Sequence, residues 1–177
     1  MGLFLQLSFP FSQKYFSKIT VYFSQIFLFA ILFLFLVHYL LTMNQSLKHS
    51  VFIVDDDQDD RESIRDAFLE NNHLQDYVFM KSGEQLLYHF NEKAANKHPS
   101  LILLDLNMPA KDGRDVLKEI KGSEELRFIP IIVITTSASD KDREISYQLG
   151  ANCFLTKPNS YDELVKITDC IAKLWLH

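Results

Sequence analysis

Leu101-Ile102-Leu103-Leu104-Asp105-Leu106-Asn107-Met108-Pro109, with Asp112-Gly113 close behind, decides how the rest of the chain is read. Four consecutive apolar residues bounded by turn-formers predict a strand buried on both faces, as in a parallel sheet. Asp105 falls at the carboxyl end of that strand, the edge at which open α/β sheets bind ligands. By itself an Asp there is equally the opening of a turn. The flanking stretches weigh one reading against the other.

Upstream, Ser50-Val51-Phe52-Ile53-Val54 is a second apolar strand and runs into Asp55-Asp56-Asp57 and Gln58-Asp59-Asp60. A helix follows with Ile64, Ala67 and Phe68 on one face, ending at Asn71-Asn72. Helix capping accounts well for Asp57, Asp59 and Asp60, because carboxylates near a helix N-terminus complement its dipole. It accounts less well for Asp55 and Asp56, which belong to the strand's end. Tyr77 to Met80 predicts a short strand, and the Ser82-x-x-Gln85 spacing of a capping box opens a helix with Leu86, Leu87 and Phe90 inward. Asn96 to Ser100 is a polar loop.

Downstream, a helix from about Arg114 to Lys121 puts Val116, Leu117 and Ile120 on one side and stops at Gly122-Ser123. Pro130 precedes the strand Ile131 to Ile134, which ends in Thr135-Thr136-Ser137. Asp140 to Leu149 reads as a polar helix held by Ile145 and Leu149 and closed by Gly150. Cys153-Phe154-Leu155 is a fifth strand ending in Lys157-Pro158, and a last helix from about Tyr161 to Trp175 turns Leu164, Val165, Thr168, Ile171 and Ala172 to the sheet.

Strands alternating with helices in this way predict an α/β fold, a five-stranded parallel sheet with helices on both faces. Right-handed crossovers then bring all the strand carboxyl ends to one edge. Four strands deliver polar groups there: Asp55 and Asp56, Asp105, Thr135, and Lys157. Three carboxylates so placed repel one another unless a cation joins them. Oxygen ligands without His or thiolate favour a hard ion such as Mg²⁺. A carboxylate can also attack phosphorus to give an aspartyl phosphate. Mg²⁺ and a lysine would stabilise the transferring group, and a nearby threonine hydroxyl could report its arrival to the neighbouring helix.

Composition narrows the class. The 177 residues are 47% hydrophobic and 23% charged, enough for a packed core, and the net charge of −5 leaves no nucleic-acid footprint. Cys153 and Cys170 have no metal-ligand spacing and read as reduced structural thiols of a cytosolic protein. No glycine-rich phosphate loop is present. Residues 1–43 stand apart: they hold nine of the 15 Phe, no acid, and two bases, Lys14 and Lys18. Residues 44–177 therefore carry 16 basic against 23 acidic residues, a net of −7. Ile19 to Leu41 as a helix would span roughly 35 Å, enough for a bilayer core of about 30 Å. Three readings of this leader stay open: an inner-membrane anchor over 19–41, a signal peptide, and a mis-assigned start ahead of Met43-Asn44. The expected division is a hydrophobic leader, 1–43, and one acidic domain, 44–177.

From about Ser46 to Trp175 the chain resembles the receiver domain of bacterial two-component response regulators, of the stand-alone single-domain type. Val54-Asp55-Asp56-Asp57, Asp105-Leu106-Asn107-Met108-Pro109 with Asp112-Gly113, Thr135-Thr136-Ser137 and Lys157-Pro158 carry the resemblance. It implies a flavodoxin-like (βα)5 sheet of strand order 2-1-3-4-5 and a phospho-accepting signalling module rather than an enzyme. It further implies that Asp105 is the phospho-acceptor, that Asp56 ligates Mg²⁺ directly, and that Asp55 does so through water or by orientation. The backbone carbonyl of Asn107 would complete the protein ligands. Thr135 would be the switch hydroxyl, Lys157 the phosphate and carboxylate partner, and Phe154 the rotating aromatic. The Lys157–Pro158 bond would be cis.

The implied phosphoryl donor is a sensor histidine kinase or a histidine phosphotransfer protein, and the implied output is a downstream protein target. The contact surface is expected on Asp140–Leu149, Cys153–Leu155 and Tyr161–Trp175, with a homodimer through the last helix face as one outcome. A cytoplasmic receiver without nucleic acid is expected, membrane-associated only if the leader is real. Two alternatives accompany this reading. An Mg²⁺-dependent aspartyl-nucleophile phosphatase would need a second acid two residues after Asp105, where Asn107 stands. A membrane-tethered receiver would serve as a localised scaffold.

Overall fold

The chain divides into two units, Met1–Leu47 and Lys48–His177, and a computed structural model describes residues 30–37, 49–92 and 98–176. In the first unit residues 30–37 are helical and residues 30–36 are exposed. Most of the span expected at 19–41, and the start expected at Met43, lie outside the described residues. Among the described residues no helix is long and apolar enough to cross a membrane.

The second unit runs β1 (Ser50–Val54), α1 (Gln58–Glu70), β2 (Asp76–Met80), α2 (Gly83–Asn91), β3 (Leu101–Leu104), α3 (Gly113–Gly122), β4 (Ile131–Thr135), α4 (Asp140–Gln148), β5 (Cys153–Thr156) and α5 (Tyr161–Trp175). The strands form one parallel sheet in the order β2-β1-β3-β4-β5, as the resemblance implied. Alternation along the apolar strands splits their side chains between two cores. Phe52, Val54, Ile102, Leu104 and Val133 face Leu86, Val116, Leu117 and Ile120 of α2 and α3. Val51, Ile53, Leu101, Leu103 and Ile134 face Ile64, Phe68, Leu164 and Ile171 of α1 and α5. This is why the central strands are apolar over residues 51–54, 101–104 and 131–134: neither face meets water there.

Register positions the site. Val54 pairs with Leu104, Leu104 with Val133, and Thr135 with Thr156. The backbone pairing continues past the strand ends, with Asp105 N–H donating to Val54 O at 2.9 Å and Lys157 N–H to Thr135 O at 2.8 Å. Asp105 and Lys157 are thus fixed by the sheet rather than by mobile loops.

Three expectations change in detail. The Ser82 hydroxyl caps α2 by accepting from Gln85 N–H, but the Gln85 side chain accepts from Lys81 N–H, one residue beyond the N-cap that the box geometry would use. Helix α4 buries Ser146 completely, while Ile145 and Leu149 are only half-buried. The Ser146 hydroxyl is satisfied by donating to Asp142 O at 2.7 Å, so a small polar residue can sit closest to the sheet. Among the described residues no peptide bond is cis, so Lys157–Pro158 is trans where the resemblance implied cis. Proline's tertiary amide favours trans by only about 0.5–1 kcal/mol, which leaves either isomer open to the chain.

One unforeseen residue ties the far end of the sheet together. Lys121 Nζ, at the end of α3, donates to Ile129 O at 2.8 Å, Arg127 O at 3.2 Å and Asn152 Oδ1 at 3.2 Å. Burial pulls its ammonium below the ordinary lysine value. Lys121→Met would keep the stem packed and strip a donor from three acceptors. The expected loss is about 1–2 kcal/mol, read as a lower urea midpoint at unchanged m. An unshifted midpoint would show that water replaces the ammonium at no cost.

Candidate functional site

The elements that position the site are the carboxyl ends of β1, β3, β4 and β5. Asp55 follows β1 and Asp105 follows β3; they are 1% and 4% exposed, against the usual preference of carboxylates for water. Asp56 is exposed beside them. Ligand oxygens of Asp55, Asp56 and Asp105 all lie within 4.8 Å of one another. Asp55 Oδ2 and Asp105 Oδ1 are buried without an aligned hydrogen-bond donor. Orphaned carboxylate oxygens facing one another are costly unless a cation joins them. The donor set, carboxylate oxygen without nitrogen or sulphur, suits a hard divalent ion.

Lys157 follows β5 and enters from the side. Its Nζ lies 2.7 Å from Asp55 Oδ2, 2.6 Å from Asp60 Oδ2 and 3.6 Å from Asp105 Oδ2. Burial alone would lower the Lys157 pKa; the surrounding carboxylates of Asp55, Asp60 and Asp105 outweigh it and hold the ammonium above the ordinary lysine value. For Asp55 the balance goes the other way. Burial raises its carboxyl above the ordinary aspartate value, although Lys157 and the Asp57 N–H pull it down.

Thr135 ends β4 and is fully buried. Its hydroxyl oxygen accepts from Asn107 Nδ2 at 3.2 Å and from Ser137 N–H at 3.3 Å. Asn107 Nδ2 also reaches the Thr136 hydroxyl at 3.4 Å. The residues expected to converge from four strands therefore do so: Asp55, Asp56, Asp105 and Lys157 form one cluster, and Asn107 links the loop after β3 to Thr135. Phe154 stands apart. Its ring is buried in the core on the α2–α3 face, with the Arg143 guanidinium of α4 5.6 Å from the ring centre.

Three groups at the site escaped the sequence reading. Asp60 has the position of a helix cap, yet the capping side chain is Asp57, which accepts from Asp59 N–H at 2.8 Å and Asp60 N–H at 3.4 Å. The Asp60 carboxylate instead accepts from Lys157, 97 positions away. Arg61 donates through a short bond to the backbone carbonyl of Asp55. Asp142 in the first turn of α4 accepts from the Ser137 hydroxyl at 2.6 Å and pairs with Arg114 of α3 at 2.7 Å. Those two contacts hold its carboxyl below the usual aspartate range. This chain of contacts links the loop that follows Thr135 at the end of β4 to the first turns of α3 and α4. Only the closeness of Asp60, in the first turn of α1, to Asp55 and Asp56 in the sequence could draw attention to it; nothing in the sequence marks Arg114 and Asp142.

A buried carboxylate with a free oxygen, flanked by two further carboxylates and an ammonium, can act as a nucleophile towards an electrophilic phosphorus. The ammonium, together with a cation held by the carboxylates, would stabilise the anionic equatorial oxygens. Residues 51–169 match the family model described as the response regulator receiver domain. The response regulator Rcp1 of Synechocystis sp. is 35% identical over 129 residues, covering 71% of this chain and 88% of that protein. Among solved structures, the phosphorylated cyanobacterial phytochrome response regulator RcpA superposes with a TM-score of 0.68 at 36% identity, covering 73% of this chain and 94% of RcpA. The Mn²⁺-bound form of Rcp1 superposes with a TM-score of 0.67 at 33% identity, covering 73% of this chain and 95% of that one.

Proposed function

The chain belongs to the response regulator receiver domain family, and from that premise we propose that Asp105 accepts a phosphoryl group from a histidine kinase or a histidine phosphotransfer protein. The observation that carries this reading is Asp105 itself, a 4%-exposed carboxylate with an oxygen that no donor holds. Its oxygen attacks phosphorus as the bond from phosphorus to the donor's imidazole nitrogen breaks, and the electron pair leaves with that nitrogen. Lys157, 3.6 Å from Asp105 Oδ2, offers its ammonium to the phosphoryl oxygens. Asp55, Asp56, Asp105 and the backbone carbonyl of Asn107 would hold Mg²⁺, which when bound neutralises charge on the phosphoryl group. That the related Rcp1 has an Mn²⁺-bound form supports binding of a divalent ion.

Thr135 is the hydroxyl that exchanges Asn107 for the phosphoryl group. Its motion reaches α4 through Ser137 and Asp142, and Phe154 responds beneath Arg143. Output is a changed protein-binding surface on α4, β5 and α5, not catalysis. A groove of about 250 Å³ between β5 and α5, lined by Cys153, Leu155, Ile167, Leu174 and Trp175, offers the apolar area for a second copy or a protein target. Residues 44–177 form the cytoplasmic receiver, and residues 1–43 the leader that would decide between a diffusible and a membrane-tethered protein.

The test is incubation of the full chain with a small acyl-phosphate donor and Mg²⁺, followed by intact-mass and fragment analysis. One phosphoryl group is expected, on the fragment that holds Asp105, and none after chelation of the metal. Modification at another residue, or equal labelling in the chelator, would overturn the assignment.

A further inference from the structure

Lys157 meets a carboxylate that lies outside the metal-type cluster. Its only aligned hydrogen bond to a side chain among the described residues is to Asp60 Oδ2, at 2.6 Å. The approach to Asp55 Oδ2, although 2.7 Å, is a charge contact outside hydrogen-bond alignment, and that oxygen has no other donor. Asp105 Oδ1 likewise has none. We infer that Asp60 is a positioning residue: it shares the Lys157 ammonium with Asp55 at the rim of the site, 2.6 Å and 2.7 Å away, and so keeps the inner oxygen of Asp105 open for a divalent cation. This rests on the reading of Asp55, Asp56 and Asp105 as that cation's ligands.

The argument is one of competition. The Lys157 side chain is only 14% exposed, so its ammonium must find acceptors within the protein. Asp105 is the nearest alternative to that shared position. An ammonium bonded to it occupies the same lone pairs that a cation needs, and each weakens the other. Asp60 sits on the first turn of α1, 41% exposed, and can hold one ammonium hydrogen without belonging to the cluster. A cavity of about 50 Å³ bounded by Asp60, Ser63, Lys157 and Pro158 leaves the ammonium room on that side. The same tether sets how far Lys157 must travel to reach a phosphoryl group on Asp105.

Asp60→Asn keeps the side chain's shape but replaces a charged acceptor by a neutral one, which weakens its hold on the ammonium. Mg²⁺ alone is titrated calorimetrically into the full chain, into Asp60→Asn, into Lys157→Met and into the double variant. The expected result is a Kd about three- to tenfold weaker in Asp60→Asn, with most of that loss absent when Lys157 is already Met. An equal loss in both backgrounds would mean that Asp60 acts through its charge alone, and no loss in either would mean that it does not act; both overturn the inference. A wild-type chain that binds no Mg²⁺ would overturn the reading of the cluster itself, before any variant is compared. Should Lys157→Met fail to fold, a metal-free crystal structure of Asp60→Asn decides. Lys157 Nζ within hydrogen-bond distance of Asp105 supports the inference, and an unmoved ammonium overturns it.

Discussion

Asp105→Asn is expected to lose phosphoryl acceptance by more than about a thousandfold while remaining folded, because a neutral amide oxygen of the same shape is a poor nucleophile. The structure makes this substitution unusually clean. Asp105 N–H stays paired to Val54 O, and Leu106 O still receives Gly113 N–H, so the backbone at the end of β3 has no reason to move. The change also removes one of three mutually repelling carboxylates, and thermal stability without metal should hold or rise. Intact mass over time with an acyl-phosphate donor and Mg²⁺ gives the rate, and a thermal melt shows that the fold is retained. Labelling of Asp105→Asn at the wild-type rate would place the acceptor elsewhere, with the exposed Asp56 the first residue to examine.

Gly113→Ala carries the second large effect, and it acts on the scaffold that aims Asp105. A Cβ at this position would stand 2.2 Å from Asp105 O, 2.7 Å from Leu106 Cα and 3.0 Å from Asp105 C. All three are backbone atoms, and the bond from Gly113 N–H to Leu106 O, 3.0 Å long, pins the first turn of α3 against them. No side-chain rotation can relieve the contact. The helix and the strand end must separate, so destabilisation of about 3 kcal/mol is expected, the upper end of what an added core methyl usually costs. Phosphorylation should slow as well, because the displaced atoms include the carbonyl of Asp105 itself. Gly122→Ala, at the other end of α3, is the internal control. Nothing lies within 4 Å of its Cβ, and replacing a helical glycine there should shift stability by no more than about 1 kcal/mol, towards greater stability. Urea unfolding of the two variants side by side separates them; equal midpoints would show that the loop after β3 yields without cost.

Much of this molecule is written locally. Continuous apolar runs at residues 51–54, 101–104 and 131–134 announce strands covered on both faces, and the polar residue that closes each run marks the edge where the site forms. Asp57, Ser82 and Ser160 cap helices because their side chains meet N–H groups two or three residues ahead. Those relations span a few positions and are fixed by the backbone period, so the sequence alone determines them. The resemblance added the strand order, which no local pattern contains.

Only the folded sheet decided the rest. Asp60 has the spacing of a helix-cap residue and the same chemistry as its neighbours. Its bond to Lys157 exists because β1 and β5, although distant in sequence, end on one edge with α1 turning across it. Arg114 and Asp142 meet because α3 and α4 lie on the same face. Ser146 is buried rather than Ile145 and Leu149 because a polar helix packs at the angle its neighbours leave, and an internal hydroxyl-to-carbonyl bond makes that burial cheap. Periodicity fixes which residues line an element, while long-range charge pairs depend on which elements the topology sets side by side, and that is a property of the whole sheet.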